Sequence, residues 1–187
     1  MDKRKQVIIR ALQDKDEDVR SSAAAALEKL ETRQRLASLE KLLDSGDKVE
    51  KLRAVYAVAA LRGEGILKLL VKAAGDPSED VRAAAIRSLG KFGDKRVLPA
   101  VVERLKDESS IVVRVAVEAL ADLWDPRLMG PLMHALKSKD HGVIEKALEV
   151  IGKSGDKKAE QAMIYFAVKG NVKMRSLALE ALGIMES

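Results

Sequence analysis

No cysteine occurs in the 187 residues, which removes disulfides, thiolate metal sites, thiol nucleophiles and thioether-held cofactors. That usage fits a reducing cytoplasm, the expected location. Aromatics are scarce as well, 3% against 47% apolar residues overall, so a core must be filled by Ala, Leu, Val and Ile, which suits closely packed helices better than a sheet. Long hydrophobic runs are missing. The longest, Ala54 to Leu61, has eight residues, against the roughly 20 that cross a bilayer, so no membrane span is expected. The basic opening M-D-K-R-K-Q-V-I-I-R-A-L-Q-D is too interrupted for a signal peptide and reads as a first helix. Neither sign of charge dominates. The 34 Lys plus Arg and 29 Asp plus Glu are scattered, which describes a solvated surface and makes the net +5 weak support for a polyanion partner.

What is present is a repeat. G-K-F-G-D ends on Asp94, W-D-P holds Asp125 and K-S-G-D ends on Asp156, so three aspartates stand 31 residues apart. Leu27, Leu61, Leu89, Leu120, Ile151 and Leu182 mark the ends of successive second helices, with separations of 34, 28, 31, 31 and 31. The expected organisation is one domain over 1–187 with units at 1–31, 32–63, 64–93, 94–124, 125–155 and 156–187. Each unit holds two helical halves with apolar residues at i, i+3, i+4 and i+7, as in Leu67, Leu70, Val71 and Ala74 followed by Val81, Ala85, Ser88, Leu89 and Phe92. Polar turns separate the halves: Q-D-K-D-E-D, D-S-G-D-K-V-E, G-D-P-S-E-D, K-D-E-S-S, K-S-K-D-H-G and K-G-N-V-K. Pro126 follows an N-cap aspartate, and Pro99 and Pro131 fall in or near first turns, where a missing N–H costs little. Ala23, Ala24, Ala57, Ala85, Ala116, Ala147 and Ala178 let paired helices approach closely. The pattern predicts an all-α solenoid, a right-handed αα superhelix of about six hairpins and twelve helices.

The stretches V-R-A-A-A-I-R-S-L-G-K-F-G-D at Val81 to Asp94, V-L-P-A-V-V-E-R-L-K-D after it and V-R-S-S-A-A-A-A-L at Val19 to Leu27 resemble HEAT repeats, of the short type also found in phycobilisome lyases. The resemblance covers the whole chain and speaks to fold more than to activity. It implies a structural ladder of arginines: Arg20, Arg53, Arg82, Arg114 and Arg175, expected to bond turn aspartates such as Asp14, Asp47 and Asp76. Unit five has Ile144 and Glu145 in that neighbourhood, so the ladder is expected to break there. Within Asp80 to Pro99, Asp80 is read as a cap, Arg82 as a tie between turns and Asp94 as the start of the next unit.

No catalytic, cofactor-binding or metal residues are assigned. His134 and His141 have no acidic partners at a spacing that would build a shared metal site, as a HEAT-like di-iron hydroxylase would need. Tyr56, Trp124 and Tyr165 lie in different units, which argues against a tetrapyrrole pocket, and one tryptophan without an aromatic cluster offers little for base capture. A G-x-x-x-x-G-K-[ST] loop is absent. The expected work is non-catalytic binding of a protein partner, with a nucleic-acid backbone as the second reading and a lyase-like or lyase-accessory role as the third.

The candidate partner-binding residues lie on the second helices, which in a solenoid usually line the concave side. Aligned on Arg87, the equivalent positions are Ala25, Ala59, Arg87, Glu118, Glu149 and Glu180, and the last three make an acidic column. Arg114, Asp122 and Lys153 adjoin it. A partner with a basic segment is expected along this line. The other candidate surface is the C-terminal unit, where A-M-I-Y-F-A-V is apolar around the helix and Leu177, Ile184 and Met185 exceed what an end cap needs; it is expected to support self-association or a stacking partner.

Overall fold

The computed structural model describes residues 3–61 and 65–185. Among these there are eleven α-helices and no strand: α1 (Lys3–Ala11), α2 (Glu17–Ser45), α3 (Lys48–Ala59), α4 (Ile66–Ala73), α5 (Glu79–Phe92), α6 (Leu98–Glu103), α7 (Ser110–Asp122), α8 (Met129–Ala135), α9 (His141–Ser154), α10 (Glu160–Lys169) and α11 (Val172–Ile184). The chain forms two compact units, Met1–Leu69 and Leu70–Ser187. In the first, α1 packs on α2 and α2 on α3, around Ala23, Leu39, Leu43, Ala54, Val55 and Val58. In the second, α5, α7, α9 and α11 pack in succession, with α6, α8 and α10 each against the second helix of its own hairpin.

The repeat is stricter than the leucine spacing suggests. The N-caps of α2, α3, α5, α7, α9 and α11 are Asp16, Asp47, Ser78, Ser109, Asp140 and Asn171, each 31 residues after the last. Asp16, Asp47, Asp140 and Asn171 accept backbone N–H bonds from the first turn of their helices, and Glu50 closes a reciprocal box with Asp47. Ser78 and Ser109 make no such bond; instead Asp76 and Asp107, two residues earlier, accept their backbone N–H groups at 2.8 and 3.0 Å. Asp80, read from sequence as a cap, is the second residue of α5. Carried through, the 31-residue beat places Val58 in line with Leu27 and Leu89, and Val58 is fully buried whereas Leu61 is half-buried.

The first boundary differs from the expectation. A division between residues 31 and 32 falls inside α2, which runs unbroken for 29 residues. E-K-L-E-T-R-Q-R-L-A-S offers neither Gly nor Pro and is built of good helix formers, so nothing stops the helix. This accounts for eleven helices where twelve are expected. The division between 63 and 64 lies outside the described residues. Later boundaries are punctuated: Asp94, Asp125 and Asp156 cap short 3-10 turns that lead into α6, α8 and α10. Gly93 and Gly155 end α5 and α9 in the left-handed region, with φ of 67° and 64°. Trp124 takes the corresponding place after α7, which ends without a left-handed residue.

Two close approaches set the stacking of the second helices. A Cβ on Gly90 would lie 2.8 Å from Ala119 Cβ and 2.9 Å from its Cα, and one on Gly152 would lie 2.9 Å from Ala181 Cβ. α5 therefore meets α7, and α9 meets α11, nearly backbone to backbone. The other tie is a buried ion pair. Arg82 Nε and Nη2 donate to both Asp107 carboxylate oxygens at 2.9 and 2.7 Å, while Nη1 donates to the Asp76 and Pro77 carbonyls. The two side chains are 7% and 3% exposed.

Gly90→Ala should destabilise by about 1–3 kcal/mol, because the added methyl meets backbone that must move. Gly183→Ala, with open space around its Cβ, should be neutral or stabilising; urea unfolding monitored by circular dichroism separates the two. Arg82→Met should cost about 3–5 kcal/mol by stranding a buried carboxylate. Burial pushes the Asp107 carboxyl up, but the Arg82 bonds, the Ser109 N–H and the nearby Arg82 and Arg104 charges outweigh it and hold the carboxyl below its ordinary value. Its stabilisation is therefore complete above the unfolded value near 3.9 and fades as pH falls through the lower folded value. The stability gap between the native chain and Asp107→Asn should accordingly be full at pH 7 and shrink below about pH 4.

Candidate partner-binding face

The expected partner residues lie on the second helices of the Leu70–Ser187 unit. Arg87 lies on α5, Arg114, Glu118 and Asp122 on α7, Glu149 and Lys153 on α9, and Glu180 on α11. They remain at the surface because the core positions of these helices are filled by Val, Ala, Leu and Ile. Arg87, Arg114, Glu118, Asp122, Lys153 and Glu180 are exposed and Glu149 is half-buried.

Two clefts open between the helices. One, about 110 Å³, has Arg87 and Lys91 on the α5 wall, Glu118 and Asp122 on the α7 wall, and Val115 and Ala119 beneath. The other, about 240 Å³, has Glu149 and Lys153 on the α9 wall and Glu180 on the α11 wall, over a floor that includes Leu148, Gly152, Leu177 and Ala181. Gly90 and Gly152 make both possible, since the small residues that bring the backbones together leave the charged side chains to form the rims. Lys91 was missed from sequence. It stands one turn after Arg87, at i+4, and that spacing is the signal that would have found it.

The three glutamates are unequal. Glu149 is clasped by Lys146 and Lys153, each Nζ donating at 2.8 Å; these bonds, Lys146 first, hold its carboxyl down to about 2 against the opposing effect of burial. Glu180 accepts a bond from the Ser176 hydroxyl at 3.2 Å, a neutral partner that leaves its charge in place. The column therefore presents free negative charge chiefly at Glu118, Asp122 and Glu180. In unit two the cap register assigns position 56 to this column, so Tyr56, 57% exposed, stands where Ala59 was aligned.

The ladder residues divide. Arg20 Nη1 donates to the backbone carbonyls of Asp14 and Lys15, and Arg82 treats its own turn likewise while its bidentate carboxylate partner is Asp107 of the next turn. Arg53 is exposed on α3, and the cap register puts Lys51 two residues earlier in the ladder place. Arg114 lies against the following turn: a Cβ on Gly142 would come within 3.0 Å of its Nη1. Asp140 in that turn is held below the ordinary carboxylate range by the Val143 N–H first and the Ser110 hydroxyl next, with Arg114 adding to them. Unit five, where a break was expected, has a rung of reversed polarity. Glu145 accepts from Asn171 Nδ2 at 3.2 Å and faces Lys173 Nζ at 3.5 Å. Arg175 is exposed on α11.

Neither histidine is buried, and His141 opens α9. Among the described residues no group of three His, Asp or Glu is placed to hold a metal ion, and no helix is long and apolar enough to cross a membrane. Tyr165 meets Phe166 edge to face at 5.2 Å within α10, and Trp124 lies elsewhere in the unit.

Helical hairpins stacked in register, with charged clefts between successive second helices, define the α-helical repeat solenoids. The structure of a designed armadillo repeat protein in complex with the peptide (KR)4 shares the fold with a TM-score of 0.61 at 22% identity, over 99% of this chain and 100% of that one. YibA of E. coli gives 0.68 at 18% identity, over 97% of this chain and 70% of that one. The CpcE and CpcF complex of phycocyanin lyase from Nostoc sp. PCC7120 gives 0.54 at 20%, over 97% and 76%. Residues 39–121 match the family of HEAT repeats, and the likeness of fold extends to the units beyond that span. No curated protein matches the sequence.

The clasp on Glu149 predicts a titration. In a carboxyl-carbon NMR titration of the native chain Glu149 should titrate near 2, and in the Lys146→Met, Lys153→Met double variant it should return toward about 4.3.

Proposed function

We propose that this chain is a non-catalytic protein-binding module that holds an extended, basic segment along the second-helix face of its Leu70–Ser187 unit. The observation that carries the reading is the repetition of one cleft: Arg87, Lys91, Glu118 and Asp122 in the first and Glu149, Lys153 and Glu180 in the second share the same register on successive helices. An extended chain has a two-residue side-chain period and can place charged groups at regular intervals, so a ruled surface of this kind suits it better than it suits a compact ligand. Glu118, Asp122 and Glu180 supply the charge that attracts a basic side chain. Glu149, its charge offset by its two lysines, contributes shape and holds Lys146 and Lys153 in place as donors. A designed repeat protein of the same fold, solved with a peptide of alternating Lys and Arg, supports this choice of ligand chemistry.

The test is fluorescence anisotropy with labelled (KR)4 peptide, an acidic peptide of equal length and a single-stranded oligonucleotide. The basic peptide should bind, with an affinity that weakens as salt is added. Glu118→Lys combined with Glu180→Lys should weaken binding at least ~10-fold, or about 1.4 kcal/mol, while Glu149→Gln should have a much smaller effect. Preference for the oligonucleotide, or indifference to the double reversal, overturns the reading.

A further inference from the structure

Ile86, Val117 and Leu148 occupy one register position on α5, α7 and α9, 31 residues apart, and each is 0% exposed. Leu179, the next in that series, is 60% exposed on α11. Arg82, Val113 and Ile144 form a second series, all buried, and its next member, Arg175, is exposed. Leu182 is half-buried where Leu89, Leu120 and Ile151 are fully buried. The exposed positions lie on the side of α11 that, on α5, carries Arg82 and Gly90 toward Asp107 and Ala119.

The α1–α2 hairpin shows a deficit of its own. Val19 is 40% exposed, whereas its register mates Val81, Val112, Val143 and Met174 are all buried. Ile8 on α1 is half-buried, whereas Leu70, Val101, Leu132 and Met163 are fully buried. Val19 and Ile8 on the α1–α2 hairpin are therefore less covered than their register mates, as Leu179 and Arg175 are on α11.

The charges match as well as the apolar surfaces. Arg82 is paired by Asp107, 25 residues on, which sits two residues before an N-cap and accepts that residue's N–H. The same rule applied to Arg175 calls for a carboxylate at register position 200, six periods beyond position 14. Asp14 fills that role. It is exposed, it stands two residues before the N-cap Asp16, and it accepts the Asp16 N–H at 3.0 Å, as Asp107 does for Ser109.

We propose that copies of this chain associate head to tail, the α10–α11 end of one receiving the α1–α2 hairpin of the next, with Leu179 covered and Arg175 paired to Asp14 of the second copy. Such a contact joins two different surfaces, so it leaves one free face at each end and lets further copies add. It uses residues outside the clefts of the proposed peptide site, so either can fail without the other.

The purified 187-residue chain should show a mass in sedimentation velocity that rises with concentration. Asp14→Lys and Leu179→Lys, both at exposed positions, should each weaken association at least ~10-fold, with a native circular dichroism spectrum and a cooperative melt to show that the variants are folded. Mixed, these two variants should form a one-to-one complex that grows no further, because only one intact head and one intact tail remain. Asp14→Lys and Arg175→Asp combined in one chain should restore growth. A native chain that stays monomeric at every concentration overturns the proposal. So does association that Leu179→Lys abolishes and Asp14→Lys leaves untouched, which would mean that two tails meet.

Discussion

A second helix inside this fold is apolar on two sides, so it needs one neighbour before it and another after it. α7 and α9 have both, and their Val117, Ala116, Leu148 and Ala147 are sealed from water. At roughly 25 cal/mol per Å² of apolar surface, that sealing is the main favourable term, and it is obtained only between adjacent hairpins. Stability is thus a nearest-neighbour property.

The polar links between turns follow the same neighbour rule with changing chemistry. Arg82 reaches Asp107 as a buried bidentate pair, Arg114 lies in the space left by Gly142 close to Asp140, and Glu145 reverses the sign by meeting Asn171 and Lys173. The arginine itself is dispensable to the pattern. What recurs is a side chain from the first turns of one helix reaching the turn or first residues of the next.

Function uses what stacking leaves over. The alanine and glycine contacts that bring α5 to α7 and α9 to α11 hold the backbones too close for the intervening charged residues to do anything but line the rims. The lysines of α9 then decide which rim carboxylates carry free charge. This arrangement is spatial, which is why the acidic column looked uniform in sequence and is uneven in the fold.

The helical class, the turns and the 31-residue beat were legible in the chain because caps and apolar spacing are local: Asp16, Asp47, Asp140 and Asn171 act within one turn of where they stand. The unbroken α2 was legible too, in a span without Gly or Pro, but the assumption of equal units hid it. Leu61 drew the register away from Val58 because a leucine outweighs a valine by eye, whereas burial depends on position. The partner of Arg82, the clasp on Glu149, the reversed rung at Glu145 and the exposure of Leu179 could be decided only in three dimensions. Each depends on which side chain reaches across a gap between helices, or on whether a neighbour is there to be reached. Sequence alone determined that this chain builds stacked helical hairpins, since that follows from backbone and nearest residues. The tertiary structure alone decided which charges stay unpaired and which apolar faces stay open, since those depend on distances between atoms far apart along the chain.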